Sequence, residues 1–151
     1  MTEVPVPFRV FREIGIIDQL ATTLLGRWLE DGLTVPQFAL LDHLVRLGDD
    51  RNPSDLADAF QVTRGAMTNT LARLEARRFV ELRPDARDGR AKRVFLTDAG
   101  RAVHDRAIAR IGPGIAGLLA DIPEAEFAAA LPFLERLRKL LDSDDYRARA
   151  P

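Results

Sequence analysis

Nine cationic side chains fall between Gln61 and Arg93: Arg64, Arg73, Arg77, Arg78, Arg83, Arg87, Arg90, Lys92 and Arg93. Only Glu75, Glu81, Asp85 and Asp88 oppose them, so this stretch carries +5 within a chain whose net charge is −1, and the remainder carries −6. A local basic patch on an otherwise balanced protein is the electrostatic footprint of a nucleic-acid binder. The plainer alternative is a solvated charged face, and charge alone does not separate the two.

Other chemistries lack their residues. There is no cysteine, which excludes disulfides, thiolate metal sites, cysteine nucleophiles and thiol redox sensing. The two histidines, His43 and His104, lie far apart in sequence, and no metal site is expected from them. The carboxylate pairs Asp49-Asp50 and Asp144-Asp145 read as loop or tail charges. Without a phosphate loop, nucleophile elbow or ligand cluster, neither an enzyme nor a cofactor is expected. No apolar run approaches the roughly 20 residues that span a bilayer. The first twelve residues carry Glu3, Arg9 and Arg12 and lack the apolar core of a signal peptide, so a cytoplasmic protein with no membrane partner is expected. At 151 residues, 46% hydrophobic and 30% charged, the chain suits one soluble domain.

The elements that must carry the basic stretch follow from periodicity and punctuation. Phe11, Ile14, Ile17, Leu20, Leu24 and Trp28 recur at three- and four-residue steps and predict a helix over 8–29. Ile16, Leu25 and Leu29 widen its apolar surface beyond one stripe, so it needs a second partner. Asp31-Gly32 ends it. Thr34 and Gln37 have the spacing of a reciprocal cap on a helix that runs to Gly48. Asn52-Pro53-Ser54-Asp55 starts a short helix with Leu56, Ala57 and Phe60 inside. Thr63 caps the next, where Met67, Leu71 and Leu74 face inward and Arg64, Gly65, Thr68, Asn69, Ala72 and Arg73 face outward. A short helix, a tight turn and a second helix with a polar, basic outer face is a helix-turn-helix.

Val80–Arg83 and Arg93–Leu96 then alternate as strands around a turn-rich, arginine-rich tip, a β-hairpin wing. Thr97 caps a further helix with the stripe Val103, Ala107, Ile111, Ile115 and Leu118, and Gly112-Pro113-Gly114 should kink or break it. Asp121-Ile122-Pro123-Glu124 caps a last helix with Phe127, Leu131, Leu134, Leu137 and Leu141, which Pro132 should bend. The polar end, from Asp142 on, is expected to fray.

Two stretches give the chain its resemblance. Val62-Thr63-Arg64-Gly65-Ala66-Met67-Thr68-Asn69-Thr70-Leu71-Ala72-Arg73-Leu74-Glu75 resembles the recognition helix of the MarR (multiple antibiotic resistance regulator) family. Asp85-Ala86-Arg87-Asp88-Gly89-Arg90-Ala91-Lys92-Arg93-Val94-Phe95-Leu96-Thr97 resembles its wing and the start of the following helix. The element order agrees along nearly the whole chain. The resemblance implies a mainly α fold with a two-stranded wing. It implies one domain over 1–151, with a winged helix-turn-helix lobe at 34–97, dimerisation helices at 8–31 and 98–142, and a disordered tail at 143–151. It also implies a homodimer that binds a near-palindromic operator, with recognition helices (63–78) in successive major grooves roughly 34 Å apart and wings (83–93) beside them. Two positions depart from the family: Arg78 stands where glycine usually ends the recognition helix, and Gly89 where arginine is frequent.

On that fold, Thr68 and Asn69 are expected to meet base edges, Asn by pairing with adenine and Thr at a thymine methyl. Arg64 reaches a guanine or a phosphate, Gly65 allows close approach of the DNA backbone or simply packs, and Arg73 meets phosphate. Arg90 at the wing tip enters the minor groove, whose potential attracts arginine. The resemblance implies that Asp88 or Asp85 orients it by a salt bridge. Arg87, Lys92 and Arg93 contact phosphates. Ser54, Thr63 and Gln37 sit near helix N-termini and can donate to phosphate, although capping suits Gln37 better. In the resembling family, small aromatic or phenolic effectors enter a cleft between dimer helices and DNA-binding lobe. Phe11, Arg27, Trp28 and His43 are the candidates to line it. The expected function is therefore a ligand-responsive, DNA-binding repressor. The alternative is a winged-helix module for protein interaction, against which the basic outer face argues.

Overall fold

The computed structural model describes residues 4–143, so all but the first residue of the expected tail at 143–151 lies outside the described residues. The chain divides into two compact units, 1–111 and 112–151. Six helices and two strands run in the order α1 (Val6–Trp28), α2 (Val35–Leu47), α3 (Pro53–Ala59), α4 (Arg64–Ala76), β1 (Val80–Pro84), β2 (Lys92–Leu96), α5 (Asp98–Asp121) and α6 (Glu124–Asp142).

The caps in the first unit are made by the residues whose spacing predicts them. The Gln37 N–H donates to Thr34 Oγ1 at 3.4 Å, while the Thr34 N–H donates to Gln37 Oε1 at 3.1 Å, closing a capping box. Asn52 accepts from the Ser54 N–H at 2.7 Å, Thr63 from the Ala66 N–H at 3.1 Å and Thr97 from the Gly100 N–H at 3.0 Å. Each oxygen satisfies a donor that the first helical turn would otherwise leave open. Gln37 is only 5% exposed, which removes it as a phosphate contact; its amide is spent on the cap.

Met67, Leu71 and Leu74 of α4 turn inward, joining Phe38, Leu40, Leu41 and Leu44 of α2, Leu56 and Ala57 of α3, Val80 and Val94 of the wing and Val103, Ala107 and Ile111 of α5. Burying a side chain of this size contributes about 1.5–3 kcal/mol, so this cluster anchors the helix-turn-helix and the wing base together. The strands pair antiparallel, Val80 opposite Leu96 through Pro84 opposite Lys92. Arg51 bridges to Val94 on the far side of β2. Gly100 is required by close approach: a Cβ there would run into the Phe79 carbonyl oxygen and lie 2.9 Å from Leu96 Cδ1.

Two expectations about the later helices are corrected. Of the kink or break expected at Gly112-Pro113-Gly114, the break does not occur: α5 is helical from Asp98 to Asp121 with Pro113 inside. Asp121 does not cap α6; it closes α5, and the cap position is Pro123, whose side chain offers no acceptor. No residue of α1 or α6 is buried, although both carry apolar stripes. No helix among the described residues is long and apolar enough to cross a membrane.

Candidate nucleic-acid interface

The outer face of α4 is built by default. Met67, Leu71 and Leu74 consume the inward positions, so Arg64, Gly65, Thr68, Asn69 and Arg73 are left exposed. Arg73 Nε donates to Asn69 Oδ1 at 3.4 Å, one helical turn away. A Cβ at Gly65 would meet only Thr63 Oγ1, at 4.0 Å, so nothing inside the chain demands glycine there. A cleft of about 440 Å³ separates this face from the wing, lined among others by Ser54, Thr68, Ala72, Arg90 and Lys92.

α4 ends on Arg77, and Arg78 follows with φ +59°, a left-handed residue without glycine. The family's usual glycine thus marks a real backbone requirement, met here under strain. Arg78→Gly is expected to stabilise the protein by roughly 0.5–1 kcal/mol, net of glycine's larger chain entropy. Thermal unfolding should register this as a rise of about 1–4 °C; an unchanged or lower midpoint would show that the Arg78 side chain contributes more than its backbone costs.

The wing turn is held by its two aspartates, though not as a salt bridge to Arg90. Asp85 Oδ1 accepts the Arg87 N–H at 2.8 Å, and Asp88 Oδ1 accepts the Arg90 N–H at 3.0 Å. These local turns fix the backbone while leaving the Arg90 guanidinium unpaired among the described residues. Arg64, Arg87 and Lys92 likewise make no ion pair among the described residues. Arg93 differs from the expectation of a phosphate contact. Its Nε donates to Asp50 Oδ1 at 2.8 Å, it also donates to the Asp50 carbonyl, and Asp85 Oδ2 lies 4.0 Å away. The hydrogen bond from Arg93 holds the Asp50 carboxyl below the usual carboxylate range.

Four further contacts bind the interface together, and two of them, Asp49 to Leu96 and Arg77 to Asp31, join residues too distant for local spacing to reveal. Glu75 Oε1 accepts the Leu82 N–H at 3.2 Å, tying the end of α4 to β1. Asp49 Oδ2 accepts the Leu96 N–H at 2.9 Å. Arg77 stacks over Phe79, 4.5 Å from the ring centroid, and donates to the Asp31 carbonyl in the turn after α1.

The effector candidates are not gathered as expected. Phe11 and Arg27 are exposed on α1, and Trp28 packs on the core. His43 packs on Phe60, ring centroids 5.2 Å apart. Burial, then the nearby Arg46 and Arg51, lower the His43 pKa, so the ring is neutral near pH 7 and serves as a packing surface. A cavity of about 300 Å³ lies instead beside the Asp31 turn, lined by Leu33, Val103 and Ala107 and by the ion pairs Asp31–Arg106 and Glu30–Arg110. None of the four candidates lines it. Next to it, the buried His104 stacks on Phe38, its ring nitrogens 3.2 Å from Asp42 Oδ1 and Asp105 Oδ1. Burial alone would raise the Asp42 pKa, but the bonds from Arg46 and His104 outweigh it and leave the carboxyl lowered.

Comparison with known proteins agrees with this geometry. Residues 31–91 match the model of the MarR family. The chain is 36% identical over 98 residues to the transcriptional activatory protein BadR of Rhodopseudomonas palustris, covering 64% of this chain and 54% of BadR, about half of that relative's length. A MarR variant from E. coli, solved in complex with operator DNA, aligns over 90% of this chain and 94% of its own, with 29% identity and a TM-score of 0.73. PcaV from Streptomyces coelicolor, solved with its natural ligand, shares the fold over 94% of this chain and all of its own, at 23% identity and a TM-score of 0.75. A capped recognition helix, a pinned two-stranded wing and these likenesses agree: residues 31–91 match the MarR family, and the chain shares the fold of the E. coli MarR regulator over nine-tenths of its length.

Proposed function

We propose that this chain is a sequence-specific DNA-binding transcription regulator that acts as a homodimer on a near-palindromic operator. The observation that carries the reading is the set of exposed cations on α4 and the wing, Arg64, Arg87, Arg90 and Lys92, without acidic partners among the described residues. Unneutralised charge on a rigid, doubly braced surface calls for a polyanion. Thr68 and Asn69 supply the groups that read base edges between these cations, and Arg73, held by Asn69, reaches phosphate. Ser54 and the Thr63 hydroxyl, whose oxygen is occupied by the cap, donate to phosphate at the rim. Gly65 serves the approach of the DNA backbone, since packing within the chain does not require it.

The operator-bound MarR structure supports this reading. BadR is named a transcriptional activatory protein, so the likeness does not by itself favour repression over activation. For a small aromatic or phenolic effector, the cavity beside Asp31 is a second candidate beside the cleft first expected, and PcaV, which shares the fold, was solved with its natural ligand. Asp31 faces that cavity while its carbonyl holds Arg77 at the end of α4, so a ligand that rearranges the turn acts on the recognition helix. To release DNA it must bind the non-operator form more tightly.

The test is DNA affinity against salt, using a duplex of the DNA upstream of the protein's own gene and a random duplex. The expected result is preference for the first by a factor of about 10³ or more at physiological salt, with a steep negative slope of log K against log salt. Weak and equal binding to both would reject sequence-specific reading on that DNA and turn attention to a protein partner.

A further inference from the structure

The turn between α2 and α3 reaches the wing through Asp50. Asp50 adopts φ +60°, a conformation that asparagine and aspartate visit more readily than other residues but still at a cost. Its N–H donates to the Val94 carbonyl at 2.8 Å, and Arg51 exchanges two further bonds with Val94, at 3.2 and 2.8 Å. The Asp50 side chain and carbonyl both receive Arg93, and Arg93 stands beside Asp85. Asp85 in turn opens the wing turn: it accepts the Arg87 N–H, and its own N–H donates to the Ala91 carbonyl at 2.9 Å. A chain of hydrogen bonds, with one 4.0 Å ion-pair step between Arg93 and Asp85, therefore runs from the α2–α3 turn to the loop that presents Arg90.

A two-stranded ribbon is marginally stable by itself. An exposed ion pair such as Asp50–Arg93 adds little to global stability. A strained backbone held by such a pair implies a positional role. We propose that Asp50 is a positioning residue for the wing: through Arg93 and Asp85 it sets the direction in which the tip carries Arg90 toward DNA. The proposal rests on the DNA-binding reading for its consequence, but its structural half concerns the free protein. It also opposes a simpler expectation. If Arg93 were a phosphate contact, removing Asp50 would free a cation and tighten binding.

The test uses full-length Asp50→Gly, which removes the carboxylate and accepts the left-handed backbone without strain. Asp50→Asn serves as a charge-only control. In the free protein, the Asp85, Arg87 and Ala91 amides should exchange about tenfold faster while those of Leu71 and Leu74 stay unchanged. On the upstream duplex, affinity should fall about three- to tenfold, and by nothing further in an Arg90→Ala background, because both changes remove the same contact. Unchanged exchange in the wing overturns the proposal, and so does a loss that adds fully to that of Arg90→Ala. Tighter binding with a salt slope steeper by about one unit would return Arg93 to the phosphate contacts. If the wild-type protein ignores the duplex, the DNA reading fails on that site, while the exchange measurement still decides the role of Asp50.

Discussion

Ile17→Glu with Leu20→Glu should convert the protein from a dimer to a monomer and lower its affinity for a two-half-site operator by about a hundredfold or more. Ile17 and Leu20 are each 60% exposed, one helical turn apart on a 23-residue helix that buries none of its residues. α6 presents the same condition with Phe127, Leu131, Leu134 and Leu141 exposed. Helices with unpartnered apolar stripes are stabilised by covering them, at about 25 cal/mol per Å². A second copy of the chain is the occupant our proposed function requires. Burying a glutamate in such an interface, without a partner cation, is strongly unfavourable. The core of the first unit does not use these two side chains, so its helix content should persist. The affinity loss follows from effective concentration. In a dimer the second half-site is bound intramolecularly, an advantage of about 10²–10⁴ that vanishes for monomers. Sedimentation equilibrium beside an operator titration gives both numbers. A variant that stays dimeric would place the interface elsewhere.

Arg90→Ala should weaken operator binding by about 1–3 kcal/mol, roughly five- to 150-fold, and leave the dimer intact. The magnitude rests on geometry. Asp88 holds the Arg90 backbone but not its guanidinium, so the charge is presented and not consumed. In a narrow minor groove the DNA potential is strongest for such a charge. Arg87→Ala is the contrast: a phosphate contact removed should reduce the salt slope by about one unit and weaken all sequences alike. Fluorescence anisotropy on the upstream and random duplexes separates the two patterns. An Arg90→Ala protein that binds as well as wild type would take the wing out of the mechanism.

Much of the fold was legible because its signals are local. Thr34 with Gln37, Asn52 before Pro53, Thr63 and Thr97 each cap a helix through bonds spanning two or three residues, and such bonds depend on spacing alone. The inward set Met67, Leu71 and Leu74 follows from 3.6-residue periodicity, and the outward set is whatever that leaves. Arg78 is a departure that only the family resemblance marks, and its φ of +59° gives that departure its physical meaning. The errors are also physical. Gly112-Pro113-Gly114 reads as a kink or a break, and the break does not occur, since α5 continues through it: propensity is a weak prior that context overrides. The packing of His43, an effector candidate, on Phe60 joins residues 17 positions apart, beyond the reach of local spacing.

The sequence by itself determined the helices, the caps of α2 to α5, the identity of the recognition face and the location of the basic stretch, since each depends on neighbours within about one turn of helix. The tertiary structure alone decided which charges remain available. Arg93 and Asp50 are separated by 43 positions, as the bond between them records, and Arg77 and Asp31 by 46. Only when α2, α4 and the wing pack on one core do these pairs meet, tying down some arginines and leaving Arg90 free among the described residues. A charge count treats all nine cations alike; desolvation and hydrogen bonding, which require the fold, make them different.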